Sequence, residues 1–321
     1  MTSFLCYDTI IMQNKHIEHP EDSILNGDLG VLDWFTSNGK ITAKIDGAPA
    51  IVWGTNPVNN KFFIGTKSVF NKKLIKINYN HTDIDRNHKG EVANILHICF
   101  DNLPDTSNIY QGDFIGFGGT DSFNPNTIRY IFPDKVSQEI VIAPHTTYTT
   151  NGDLRDAIAR PISDKELISL WQDAEDVYFV YPDVTIDQQR DNIHDLCKFA
   201  RQIATLCEFP NDKQVKTIKK QLNTCIREDI DVDDIVQEVL ADDNNIDVNV
   251  LRLWKLVQSI KHDMFNYISC NDDIECYIEE EYCDHEGYVM VNEFGTFKIV
   301  NREGFSKANF NLSKMRVKGD A

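Results

Sequence analysis

The chain changes its apolar period twice. Up to about residue 160 its hydrophobic residues recur in short alternating runs. From about 163 to 280 they recur at helical spacing, and after 287 alternation returns. This order restricts the fold to an α+β class, with a helical segment inserted into, or packed beside, a β-rich domain. The implied boundaries are 1–160, 161–280 and 281–321. A helix is expected over 22–37, capped by Asp22 or Ser23, while His16 and His19 cap or pack it. Strands follow at 41–45, 50–53 and 62–65, a helix at 92–103, and strands at 109–117, 127–132 and 139–143. The middle block predicts helices over 165–174, 188–207, 213–227, 232–240 and 250–267, with one β-like run at 177–181. Strands at 287–292 and 296–301 close the chain.

Charge is distributed as unevenly as period. The net charge of −18 excludes a protein that coats nucleic acid by bulk electrostatics. Yet residues 56–82 contain no acid and carry Lys61, Lys67, Lys72, Lys73 and Lys76. From 301 onward Arg302, Lys307, Lys314, Arg316 and Lys318 outnumber Glu303 and Asp320. A chain built this way is acidic overall and still offers a basic path to a phosphate backbone. No apolar run is long enough to span a membrane, and the N-terminus lacks the pattern of a signal peptide, so a cytoplasmic setting is expected. The eight cysteines form no CxxC pair and read as reduced structural thiols. Cys270, Cys276, Cys283 and His285 offer zinc-type donors, but their gaps match no common zinc pattern.

Lys44-Ile45-Asp46-Gly47 is the sharpest local signal. A lysine at a strand end beside a glycine turn can present its amine to a phosphorus, provided the amine is uncharged. Further motifs follow in order: Gly65-Thr66-Lys67-Ser68, Gln111-Gly112-Asp113-Phe114, a run around His145 and Tyr148, Glu286-Gly287-Tyr288-Val289, and Phe297-Lys298-Ile299-Val300. Together they resemble the covalent nucleotidyltransferase superfamily of ATP-dependent DNA ligases, RNA ligases and mRNA capping enzymes. The nearest likeness is to phage-encoded ligase-like proteins, through HxEHPED at 16–22, GTKSxFNK at 65–72, QGDF at 111–114, PNTIxY at 125–130 and KxVNRxxFxxANF at 298–310.

The resemblance implies an ATP-grasp-like adenylation core of antiparallel sheets with flanking helices, carrying a helical insertion. It also implies roles. Lys44 is the nucleophile, with Thr42, Ala43 and Gly47 beside the nucleotide and Asp46 orienting the lysine. Asp113 takes the ribose and shares with Glu286 the binding of Mg2+ or Mn2+; Lys298 holds the α-phosphate of ATP. His145 or Tyr148 contacts the purine. Lys67, Lys72, Lys73 and Arg302 meet the nucleic acid. Val300 stands where the family has a second lysine, leaving Arg302 or Lys67 to supply that charge. Only twenty-one residues follow Val300, too few for the OB-fold that most DNA ligases and capping enzymes carry. The expected activity is therefore polynucleotide ligation through lysyl-AMP, on RNA rather than nicked DNA, in the host cytoplasm if phage-encoded. Another acceptor, as in RNA capping or protein nucleotidylation, and a non-catalytic ligase-derived nucleic-acid-binding module are the alternatives.

Overall fold

The computed structural model describes residues 17–278, 280–283, 285–302 and 304–305. His16, Glu303 and the basic residues from Lys307 onward lie outside the described residues. The chain is α+β, with mainly antiparallel sheets and several helices. Its described residues divide into two compact units: 45–181 with 273–277, and 17–44 with 182–272 and the described residues from 278 to 305.

The first unit is built on a sheet whose strands run Lys61–Gly65, Ala50–Asn56, Ile109–Phe117, Ile140–Thr149 and Ile158–Pro161, with Val177–Phe179 parallel to the start of Ile140–Thr149. Alternation along these strands sends residues to opposite faces. Ile51, Trp53, Ile64 and Tyr110 join a core with Leu96 and Cys99 of helix Gly90–Asn102 and Leu167 and Leu170 of helix Asp164–Gln172. Val52, Phe63 and Ile109 turn the other way, onto Val69, Tyr148 and Leu154. The helix Asp164–Gln172 begins on a capping box in which Ser163 and Glu166 exchange hydrogen bonds with each other's backbone.

The second unit joins helices to a three-stranded antiparallel sheet ordered Lys40–Ala43, Gly287–Asn292, Gly295–Val300. The helices Asp191–Ala204, Asp212–Arg227, Asp234–Asn244 and Val248–Met264 bury one stripe each; in the second it is Val215, Ile218, Leu222 and Ile226. These stripes and the inner sheet face, with Ile41, Met290, Phe297 and Ile299, form one core. Trp34 of helix Gly30–Thr36 docks edge-on to Phe297 at 5.2 Å, and its indole N–H donates to Met290 O.

Several expectations need correcting. The helix expected over 22–37 is two, Pro20–Ile24 and Gly30–Thr36, because Gly27 takes φ +75° between them. Its cap is neither Asp22 nor Ser23: His19 occupies the N-cap position, Pro20 follows, and Asp22 is buried inside the first turn. The middle block is not purely helical, since Val184–Ile186 and Ile268–Cys270 pair antiparallel. Helix His81–Asn87 and strand Ile158–Pro161 were not expected.

The burial of Asp22 is part of a larger arrangement. Lys261 Nζ donates to Glu21 Oε1 at 2.6 Å, and both side chains are fully buried. Arg302 Nη1 donates to Asp22 Oδ1 at 2.9 Å and approaches Glu21 Oε1 at 3.3 Å, while Nη2 donates to Asn223 Oδ1. Trp254 Nε1 donates to Asp22 Oδ1. Removing one member strands a charge away from water, so Glu21→Ala is expected to destabilise the protein by about 3–5 kcal/mol in urea unfolding. Glu21→Ala combined with Lys261→Met is expected to recover more than half of that loss.

Candidate functional site

Lys44 extends the edge strand of the three-stranded sheet. Its backbone N–H donates to Gly287 O at 2.8 Å, continuing the ladder beyond Ala43. Thr42 is in register with Val289, and Val289 with Lys298, so these side chains share one sheet face. Lys44, two residues past Thr42, emerges on that same face. Ile41, Met290 and Phe297 occupy the opposite face and enter the core, and Ala43 packs against that core too. Ala43 therefore meets the Lys44 face through its backbone alone.

Lys44 Nζ lies 2.7 Å from Glu286 Oε1, with the two side chains only 20% and 11% exposed. Glu286 sits between His285 at φ +50° and Gly287 at φ +141°. Glycine is required at 287 because a Cβ there would lie 2.2 Å from Ile299 O, inside the adjoining strand. As an ion pair the Lys44 amine carries its proton, so attack on phosphorus requires that proton to leave first.

His19 reports the field around this group. Burial, then the charges of Arg302, Lys298, Lys261 and Lys44, hold its imidazole far below the ordinary value, so it is neutral. Lys261 and Arg302 are offset by Glu21 and Asp22.

The motif of residues 44–47 straddles the two units, with the boundary between Lys44 and Ile45. In the first unit the Asp46 N–H donates to Tyr130 Oη at 3.0 Å, and Asn126 Nδ2 donates to Asp46 O at 3.0 Å. Gly47 N–H donates to Asp113 Oδ2 at 3.4 Å. His145 Nε2 lies 3.6 Å from Asp113 Oδ1 and 3.3 Å from Gln111 Nε2, while Gln111 Oε1 accepts from Tyr148 at 2.7 Å. Asp113 and His145 thus meet beside a register shift at Gln111/Gly112 that re-aims this part of the strand. Tyr148 is not a surface ring for a purine: it is buried against Phe70 at 4.4 Å, and burial pushes its phenol up.

Lys67, Lys72 and Lys73 are exposed, in and just after the short helix Lys67–Phe70, where every residue from 71 to 75 faces solvent. Lys76 Nζ donates to Asn87 O. Arg302 corrects an expectation. It is 4% exposed and spent on Glu21, Asp22 and Asn223, so it is neither a nucleic-acid contact nor a substitute for the second lysine. Val300 is itself buried.

Asn126 and Tyr130 were missed as site residues. Their signal was their spacing in PNTIxY, but nothing in the sequence showed that both would reach the Asp46 backbone. A second group also departs from expectation. Of the four suggested zinc donors the structure joins Cys270 and His285, and it adds Asp272. Cys270 Sγ is 3.2 Å and Asp272 Oδ1 3.3 Å from His285 Nε2. Burial, with the Asp272 and Asp183 carboxylates, pushes the Cys270 thiol up to about 12. No helix among the described residues is long and apolar enough to cross a membrane.

Residues 14–240 and 231–314 match the family described as "Family of unknown function (DUF6267)", and the chain belongs to that family. No curated protein and no solved structure matches the chain.

Within the first unit the backbone comes close at Gly47, where a Cβ would lie 2.2 Å from Phe114 O. Gly47→Ala is therefore expected to destabilise the protein by more than about 1 kcal/mol in urea unfolding. Gly119→Ala, which faces open space but has φ +86°, serves as the comparison that carries backbone strain without the clash.

Proposed function

We propose that this chain is an ATP-dependent nucleotidyltransferase that forms a covalent lysyl–AMP on Lys44 and seals polynucleotide ends, RNA in preference to DNA. The observation that carries the reading is the shielded Lys44–Glu286 ion pair on the sheet face shared with Lys298. Antiparallel sheets flanked by helices are compatible with such a core in general terms. The chemistry asks little more of the protein than position and charge.

In the first step the Lys44 amine must become neutral, and Glu286 Oε1 is placed to take its proton. The freed lone pair attacks the α-phosphorus; the P–N bond forms as the bond to the β-phosphate oxygen breaks, and pyrophosphate leaves. Lys298, on the same face, offsets the charge of the α-phosphate oxygens. Glu286 is also an oxygen donor of the type Mg2+ or Mn2+ prefers, and the cation, when bound, neutralises charge on the triphosphate. AMP then passes to a 5′-phosphate, and a 3′-hydroxyl displaces it. The exposed lysines 61, 67, 72 and 73, on an acid-free stretch, suit contact with a phosphate backbone despite the net charge of −18.

Incubation with α-labelled ATP and magnesium is expected to label the protein through an acid-labile, base-stable phosphoramidate. Lys44→Ala is expected to abolish the label, and Glu286→Ala or Lys298→Ala to lower its rate by at least about 100-fold. Absence of an adduct, or one that persists in Lys44→Ala, rejects the reading. Labelling by GTP alone rejects ligation in favour of another acceptor chemistry.

A further inference from the structure

We propose that Cys270, Asp272 and His285 form a zinc site, separate in its chemistry from nucleotidyl transfer. The geometry sets aside the other familiar reading of these three residue types. A cysteine–histidine–aspartate relay needs its thiol on one ring nitrogen and its carboxylate on the other. Here both approach the same nitrogen: Cys270 Sγ at 3.2 Å and Asp272 Oδ1 at 3.3 Å from His285 Nε2. One imidazole nitrogen carries at most one proton, so it cannot relay between these two groups. A cation at their common centre satisfies all three atoms at once.

The spacing fits such an ion. Zinc bonded tetrahedrally at its usual lengths to sulfur, nitrogen and oxygen separates S from N by about 3.5 Å and O from N by about 3.4 Å. The distances found are within a few tenths of an ångström of these. A thiolate, an imidazole and a carboxylate also make a donor set that suits zinc and excludes magnesium and calcium, which take oxygen ligands. On binding, Zn2+ takes the place of the Cys270 Sγ proton, which leaves to solvent. Three protein ligands leave the fourth tetrahedral position to a water molecule.

The ligands are held before any ion arrives. Cys270 ends a strand in register with Val184, and the following Asn271 N–H donates to Asp183 O at 2.8 Å, fixing the turn that carries Asp272. His285 is buried at 7% exposure, in the left-handed backbone region, with its ring edge-on to Tyr288. It directly precedes Glu286, so the ion would tie the end of strand Ile268–Cys270 to the residue beside the Lys44 partner. Side chains 270, 272 and 285 are too unevenly spaced to form a zinc motif in sequence, which is why no pattern revealed them.

Titration of the full chain with Co2+, used as the probe for zinc, tests the site. The expected result is one equivalent bound, with the strong visible bands of tetrahedral cobalt and a thiolate-to-cobalt band in the near ultraviolet, both displaced by Zn2+. Cys270→Ser should abolish the thiolate band. Asp272→Asn, whose side chain is close to isosteric and so spares the fold, should weaken binding more than about tenfold. No stoichiometric binding by the wild-type chain overturns the proposal, as does unchanged binding in both variants when their circular dichroism is native. Lys44→Ala should bind cobalt like the wild type. Cobalt binding without nucleotide adduct would reject the ligase reading alone; adduct without cobalt binding would reject the zinc site alone.

Discussion

The second unit depends on four buried charges that close its three separate chain segments on one another. Residues 17–44, 182–272 and the described part from 278 to 305 each contribute: Glu21 and Asp22 from the first, Lys261 from the second, Arg302 from the third. Apolar packing alone is non-directional, and a core of Ile, Leu and Val tolerates more than one arrangement of its helices. Two carboxylates facing an ammonium and a guanidinium tolerate very few. Burying four charges carries a heavy desolvation cost, so the network adds little net stability over an apolar replacement. Its consequence is registry: every misplaced helix or strand leaves an ion without its partner.

That registry reaches the candidate site directly. Arg302 follows the strand Gly295–Val300 by two residues, and Lys298 lies within that strand. Glu18, just ahead of the buried acids, bridges to Phe297; its carbonyl accepts from Lys298 N–H, and its carboxylate pairs with Lys219. Anchoring Arg302 against Glu21 and Asp22 thus sets the register in which Lys298 meets Val289 and Thr42. The same acids consume the positive charge of Arg302 and Lys261, whereas Lys40, Lys44 and Lys298 share the other sheet face. A neutral His19 beside them adds no competing charge.

The sequence made the strands and long helices legible wherever a single face is buried. Ile109–Phe117 and Gly287–Asn292 match their expected bounds, and Asp212–Arg227 differs by one residue, because alternation or helical spacing there follows burial closely. The three-residue strand Val184–Ile186 was illegible because it carries almost no period, whereas Val177–Phe179 showed as part of a longer β-like run. The HPED segment was visible as a motif, but its meaning was not. Asp22 looks like a helix cap by position, and only the three-dimensional approach of Arg302 and Trp254 turns it into a buried partner. Arg302 misled for the same reason: a cation near a chain end reads as surface until its counter-ions are found. The candidate site was legible in part, as Lys44, Glu286 and Lys298 carry motif residues that the sheet register aligns. Asp272 was invisible because no regular spacing links it to Cys270 and His285.

The pairing of Lys44 with Glu286 also bears on why such a lysine does not react indiscriminately. A neutral amine at a shielded sheet edge would be open to any electrophile that reached it. Held by a carboxylate at 2.7 Å, it is charged and inert. A second anionic partner would only hold the ammonium charged, so in the proposed adenylation the proton has to pass to the Glu286 carboxylate before the amine can attack. Under the proposed function the ion pair is a resting state, and transfer of its proton to Glu286 is the event that frees the lone pair. In a solvent-exposed pair water would screen the carboxylate and weaken its hold on the amine. Partial burial of both side chains limits that screening here, and the ion pairs of Glu21, Asp22, Lys261 and Arg302 fix the chain segments that carry this sheet.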